Sequence, residues 1–208
     1  MSFRFEEKIL LHISDYLKIK DFIFKSGGKN LYKKRKISSL YFDNNQSEMY
    51  LDSEDGTLPR KKIRIRKYPN NKTSELFFET KISSVEGRFK IVKKINEKKI
   101  KEYIHRGYFD INYGFCFPKI EISYFREYFS FFNQRLTLDN LITYKCFKSN
   151  RALVDKEILI LEIKSNSAIS IEQFKNAIPL QRLRVSKYCY GINILFNKNE
   201  QQRLNQIN

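Results

Sequence analysis

The sequence predicts an α+β fold: an antiparallel sheet of about eight strands closed into a barrel, with flanking helices. Two observations predict it. Seven or eight stretches alternate apolar with polar residues, while helical spacing occupies the start, one middle segment and the end. No Pro/Gly/Ser-rich linker or internal repeat divides the chain, so residues 1–208 read as a single domain.

The elements follow in order. Residues 5–18 place Phe5, Ile9, Leu10, Ile13 and Leu17 at helical spacing, which predicts a helix. The Gly pair at 27–28 reads as a loop, and residues 35–42 (RKISSLYF) as a strand. Residues 60–68 (RKKIRIRKY) and 75–83 (ELFFETKIS) alternate as strands, and 86–94 (EGRFKIVKK) does so again after a turn. Asn96 caps a predicted exposed helix over 96–105. Long β-rich runs cover 117–131, 133–147 and 157–164. Ser170 is the cap candidate of a short helix in 167–176, and VSKYCYGINILF, 185–196, suits a last amphipathic helix.

The alternation carries charge. Six of the nine residues in RKKIRIRKY are basic. As a strand, one face holds Arg60, Lys62, Arg64, Arg66 and Tyr68, and the other Lys61, Ile63, Ile65 and Lys67. If the first face looks into a tunnel, Ile63 and Ile65 pack outward under helices, Arg60 and Lys62 funnel an anion in, and Lys61 and Lys67 are solvent charges. The pattern recurs. Glu79 and Lys81 oppose Phe78, Thr80 and Ile82; Arg88, Lys90 and Lys94 oppose Phe89 and Ile91. Tyr124, Arg126 and Tyr128 share a face; Arg135, Thr137 and Asp139 oppose Leu136 and Leu138; Glu162 and Lys164 oppose Leu159, Leu161 and Ile163. If the polar faces look outward, the inside is an ordinary apolar core. If they look inward, buried cations require water and a multivalent anion, because an unpaired buried charge is very costly.

The formal net charge of +17 and pI of about 9.7 imply a polyanionic partner: nucleic acid, an anionic membrane surface or a phosphate-rich molecule. A Lys-, Asn- and Ile-rich composition also accounts for part of that surplus. Cys116, Cys146 and Cys189 lack CxxC spacing, which argues against zinc and disulfides and for small buried apolar residues. His12 and His105 have no triad-like or metal-binding neighbourhood. The start has no signal-peptide core and no apolar run reaches membrane-spanning length, so the expectation is a soluble cytoplasmic protein.

Nine segments, in order, resemble the polyphosphate polymerase domain of the vacuolar transporter chaperone (VTC) family, within the triphosphate tunnel metalloenzyme superfamily. They are RFEEK (4–8), SSLYFDN (38–44), KKIRIRKY (61–68), FETK (78–81), GRFK (87–90), ISYFREYF (122–129), RLTLDN (135–140), LILEIK (159–164) and SKYCYG (186–191). The resemblance implies an antiparallel β-barrel tunnel and transfer of the ATP γ-phosphate to a growing polyphosphate chain, with a divalent metal, Mn2+ or Mg2+. It implies a basic clamp of Lys8, Arg64, Arg66, Lys81, Arg126, Arg135 and Lys187. It adds Arg88, Lys90, Lys164 and Ser186 as phosphate-binding residues and Glu162 as the metal ligand. The partners implied are ATP and inorganic polyphosphate, with a membrane or envelope-polymer assembly as a further association. Hydrolytic members of the superfamily begin with an ExExK-type motif. Here Arg4 occupies the first carboxylate position, which favours polymerase over triphosphatase. Glu6, Glu79, Glu121 and Asp139 remain as further metal candidates or as salt-bridge partners. A tunnel triphosphatase and a non-catalytic polyphosphate- or anion-binding module stay open beside the polymerase. A nucleic-acid binder has the charge for its role but no helix-turn-helix, zinc-finger or RNP-like motif.

Overall fold

The computed structural model describes residues 5–69, 75–131, 134–165 and 185–196. The helix expected at 167–176 and the residue Arg4 lie outside them. Strand β1 spans Phe5–His12, and a 3-10 turn Ile13–Asp15 leads into helix α1, Tyr16–Lys25. Then come β2 (Lys29–Asp43), α2 (Glu48–Asp55), β3 (Arg60–Lys67), β4 (Leu76–Ser84), β5 (Gly87–Ile95) and α3 (Glu97–Arg106). Strands β6 (Tyr108–Asp110), β7 (Gly114–Phe131), β8 (Gln134–Cys146), β9 (Ala152–Asp155) and β10 (Ile158–Ser165) precede the last helix, α4 (Lys187–Phe196).

The sheet runs in the order β1-β10-β8-β7-β2-β3-β4-β5, with β6 added on β7 and β9 on β8. This corrects the expected barrel: β1 and β5 end the path, and no ladder among the described residues joins them. Alternation reveals strands and their two faces, but closure depends on tilt and stagger, which no single strand encodes. Strand β5 behaves as an edge. Its residues 88–94 are exposed, and Arg88, Lys90, Lys93 and Lys94 discourage pairing with another chain.

The chain divides into two compact units. The first comprises Met1–Lys36, Tyr124–Ile142 and Val154–Val185; the second comprises Ile37–Ser123, Thr143–Leu153 and Ser186–Asn208. The long strands β2, β7 and β8 contribute residues to each.

In the first unit β1 pairs antiparallel with β10 from Phe5↔Ser165 to His12↔Ile158. The helix expected over 5–18 is therefore a strand followed by a later helix. The segment's apolar residues fit both periods, and an eight-residue ladder satisfies the backbone more completely than an isolated turn. Ile9 joins Leu136, Leu138, Leu159, Leu161 and Ile163 in a core sealed by Ile19 and Ile23 of α1 and by Phe129 and Phe131. Each such side chain contributes roughly 1.5–3 kcal/mol on burial. Gly27, at φ +85, ends α1, and a Cβ on Gly28 would lie 2.7 Å from the Ile23 carbonyl oxygen.

In the second unit β2, β3, β4 and β5 form a meander. Ile63 and Ile65 pack as expected, with Phe42, Met49 and Phe78 in a core flanked by Ile100 and Tyr103 of α3. Asn96 caps α3 as predicted, accepting from the Lys99 N–H at 2.9 Å. Helix α2, unforeseen in the sequence, starts where Asp43 accepts the Met49 and Tyr50 N–H groups at 3.1 and 3.0 Å. Gly191 lets α4 approach closely: a Cβ there would lie 2.5 Å from the Tyr144 ring. The three cysteines are free and buried, as anticipated.

Candidate active site

Strand alternation turns Ile63, Ile65 and Phe78 toward the second unit's core, which leaves Arg60, Lys62, Arg64 and Arg66 of β3, Lys81 of β4 and Arg88, Lys90 and Lys94 of β5 on the opposite face. The register sets Ser39, Arg66, Phe77 and Lys94 in one row, and Tyr41, Arg64, Glu79 and Val92 in the next. A third row holds Lys62, Lys81 and Lys90.

Glu79, 3% exposed, organises this face. Arg64 donates to its Oε2 from Nε at 2.7 Å and lies 2.6 Å away through Nη2; Lys90 reaches Oε1 at 2.6 Å; Arg66 stands 3.8 Å away. Burial pushes the Glu79 carboxyl up, but Arg64, Arg66 and Lys90 outweigh it and hold the pKa down to about 2. Burial in turn lowers the Lys90 ammonium. Arg66 Nε donates to Ser39 Oγ at 3.3 Å. Arg64 Nη1 donates to the Tyr41 phenol at 2.8 Å, and Tyr41 stacks on Tyr188 with centroids 5.1 Å apart. Burial raises the Tyr41 pKa, yet Arg64, Arg66 and Lys187 bring it below the ordinary value. Lys62 donates to Ser186 Oγ at 2.7 Å, which also accepts the Cys189 N–H at 3.3 Å and so holds the start of α4.

In the first unit the ladders set Lys8, Glu162 and Thr137 in one row and Glu6, Lys164 and Arg135 in the next. Arg126 forks onto Asp139, Nε to Oδ1 at 2.5 Å and Nη2 to Oδ2 at 2.6 Å, and reaches Glu162 Oε2 at 3.3 Å. Lys164 binds Glu162 Oε1 at 2.9 Å and lies 3.7 Å from Glu6, which Lys8 approaches at 3.0 Å. Burial pushes Glu162 up, but Arg126, Lys8 and Lys164 hold it well below the usual carboxylate range.

The expected site residues therefore divide by unit. Arg64, Arg66 and Lys90 meet at Glu79, with Lys81 in the neighbouring row and Ser186 and Lys187 at the start of α4; Arg88 is exposed on the edge strand. Arg126, Lys164 and Lys8 surround Glu162, while Arg135 is exposed. Sequence reasoning placed Lys62 only at a funnel, yet it holds Ser186. It missed Tyr41, whose signal was its alternation with Ser39 in SSLYFDN. Lys61, expected in solvent, is bound to Asp110 at 2.9 Å. Glu6, Glu79, Glu121 and Asp139 are salt-bridge partners.

Among the described residues no group of three His, Cys, Asp or Glu is arranged to hold a metal. A divalent ion carried on phosphates needs only one or two protein carboxylates. Glu162 is a buried, ionised carboxylate whose oxygens are engaged by Lys164 and Arg126. Beside it in the ladder, the buried Thr137 Oγ1 has no hydrogen-bond partner among the described residues.

The fold and site thus define an antiparallel sheet protein whose polar faces concentrate arginines and lysines around the buried carboxylates Glu79, Asp139 and Glu162. The chain belongs to the VTC domain family, which matches residues 3–113 and 108–196, within a superfamily whose members act on triphosphates or polyphosphate. No curated protein matches it significantly. Solved structures share its fold. One, from Bacillus halodurans and provisionally described as an adenylate cyclase, is 12% identical with a TM-score of 0.66, covering 95% of this chain and 100% of its own. A Pyrococcus horikoshii protein, PH1819, is 14% identical with a TM-score of 0.56 over 88% of this chain and 95% of its own. A Hippeastrum protein described as having a dominant triphosphatase activity is 13% identical with a TM-score of 0.53 over 88% and 93%. No helix among the described residues is long and apolar enough to cross a membrane.

Proposed function

We propose that the protein is an ATP-dependent polyphosphate polymerase that transfers the γ-phosphate of ATP to a growing inorganic polyphosphate chain. The observation that supports this most is the sharing of one buried carboxylate, Glu79, by Arg64, Arg66 and Lys90. Three cations gather on that one carboxylate, and phosphate oxygens match the arginine forks. Phosphoryl transfer needs positioning and charge stabilisation more than covalent work by the protein. Glu79 and Tyr41 hold Arg64 in place, so its guanidinium need not reorganise as charge moves onto the transferring oxygens. Lys81 and Lys187 complete the phosphate contacts on this face. In the first unit Arg126 and Lys164 hold Glu162 oriented and ionised, with Lys8 and Arg135 as further cations. Bound through Glu162, a divalent metal would neutralise phosphate charge. Arg4 at the first carboxylate position favours transfer to phosphate over attack by metal-activated water.

Incubation of the purified protein with ATP and manganese tests the reading. Long polyphosphate with ADP supports it, inorganic phosphate alone indicates a triphosphatase, and tight polyphosphate binding without turnover indicates a binding module.

A further inference from the structure

The polar face of the second unit is asymmetric along its strands. At one end Tyr68 and Phe77 meet, ring centroids 6.1 Å apart and planes at 72°. Phe77 stands on the face of Arg66, its ladder partner, because its neighbour Phe78 is buried on the opposite face against Tyr103 and Tyr108. Both rings are half-buried, with part of their surface open. At the other end the ladder pairs Arg60 with Ser83 and Ser83 with Arg88, a polar and cationic margin without a ring. Between them lie Arg66, directly across the ladder from Phe77, and Arg64, one and two steps from Tyr68 along the strand face, each step about 6.7 Å. Tyr41, also on this face, is 7% exposed and its ring is already stacked on Tyr188.

A nucleoside triphosphate has the same asymmetry, an aromatic base at one end and anionic oxygens at the other. We propose that Tyr68 and Phe77 form a nucleobase subsite, on which the base of the donor nucleotide stacks while its phosphates run along Arg66 and Arg64 toward the Arg60–Arg88 margin. The inference rests on the reading that this face binds a nucleoside triphosphate, and it deepens that reading by giving the donor a direction. Stacking accepts any base, because every base has a π face, so the subsite discriminates nucleotides from inorganic phosphates rather than one base from another.

The test compares ATP with inorganic tripolyphosphate, which carries the phosphates without a base. Calorimetric titration of the full chain gives the affinity for each, in wild type and in Tyr68→Ala, Phe77→Ala and Phe77→Leu; the leucine keeps apolar volume without the ring. The expected result is a loss of about tenfold or more in ATP affinity in each alanine variant. Phe77→Leu falls with them, and tripolyphosphate affinity stays unchanged. Equal losses for both ligands would mean that the rings only support the strands, which overturns the inference, as does unchanged ATP affinity. A wild-type protein that binds tripolyphosphate but not ATP also overturns it while leaving phosphate binding intact. One that binds neither overturns the functional reading itself.

Discussion

Arg64 and Tyr41 are joined twice: Nη1 donates to the phenol oxygen at 2.8 Å, and the guanidinium carbon lies 5.6 Å from the centre of the same ring. Tyr41→Phe keeps the ring and removes the acceptor. The loss of a hydrogen bond to a charged group predicts destabilisation of about 1.5–3 kcal/mol. Chemical denaturation measures it, and an unchanged midpoint and slope would show that the bond contributes nothing.

Glu79 predicts an acid-stability window. Its folded pKa of about 2 lies below the reference value of 4.5. The stabilisation is therefore fully present above that reference value and is lost as pH falls toward the folded one. Glu79→Gln removes this dependence and leaves three cations around a neutral amide, at a cost of roughly 3–5 kcal/mol. Stability curves for both proteins should converge on acidification. Parallel curves across the window would contradict the assignment.

Arg64→Ala and Arg66→Ala should weaken polyphosphate binding and turnover together. Arg64→Lys should not restore them, since an ammonium cannot span Glu79 and Tyr41 as the guanidinium fork does. Full activity in the lysine variant would show that charge alone suffices.

Glu162→Gln should abolish metal-dependent turnover while polyphosphate binding persists, because the residue's proposed task is to hold the metal. Undiminished polymer synthesis would remove Glu162 from the site.

Thr137 separates ligand binding from stability. Its hydroxyl is buried beside Glu162 without a partner among the described residues, so Thr137→Val should leave the melting temperature unchanged or raised. Metal-dependent turnover should fall several-fold. Lower stability with unchanged turnover would instead show a purely structural hydroxyl.

Much was legible in the sequence by itself. The strands β3, β4, β5, β7, β8 and β10, the Asn96-capped α3 and the apolar facing of Ile63 and Ile65 follow from period-two alternation and capping chemistry, which are local properties. The identities of Arg64, Arg66, Lys90, Arg126 and Glu162 as a charged set were visible through the same alternation. Three things only the tertiary structure decided. Residues 5–12 form a strand because β10 supplies a partner across the chain, a pairing no local window contains. The sheet stays open because strand order and stagger, not strand count, determine whether its ends meet. Tyr41 became a functional candidate, and Glu79 the carboxylate that organises the basic face, only when the register set both opposite Arg64. A ladder decides which side chains touch, and its register is a property of two strands together.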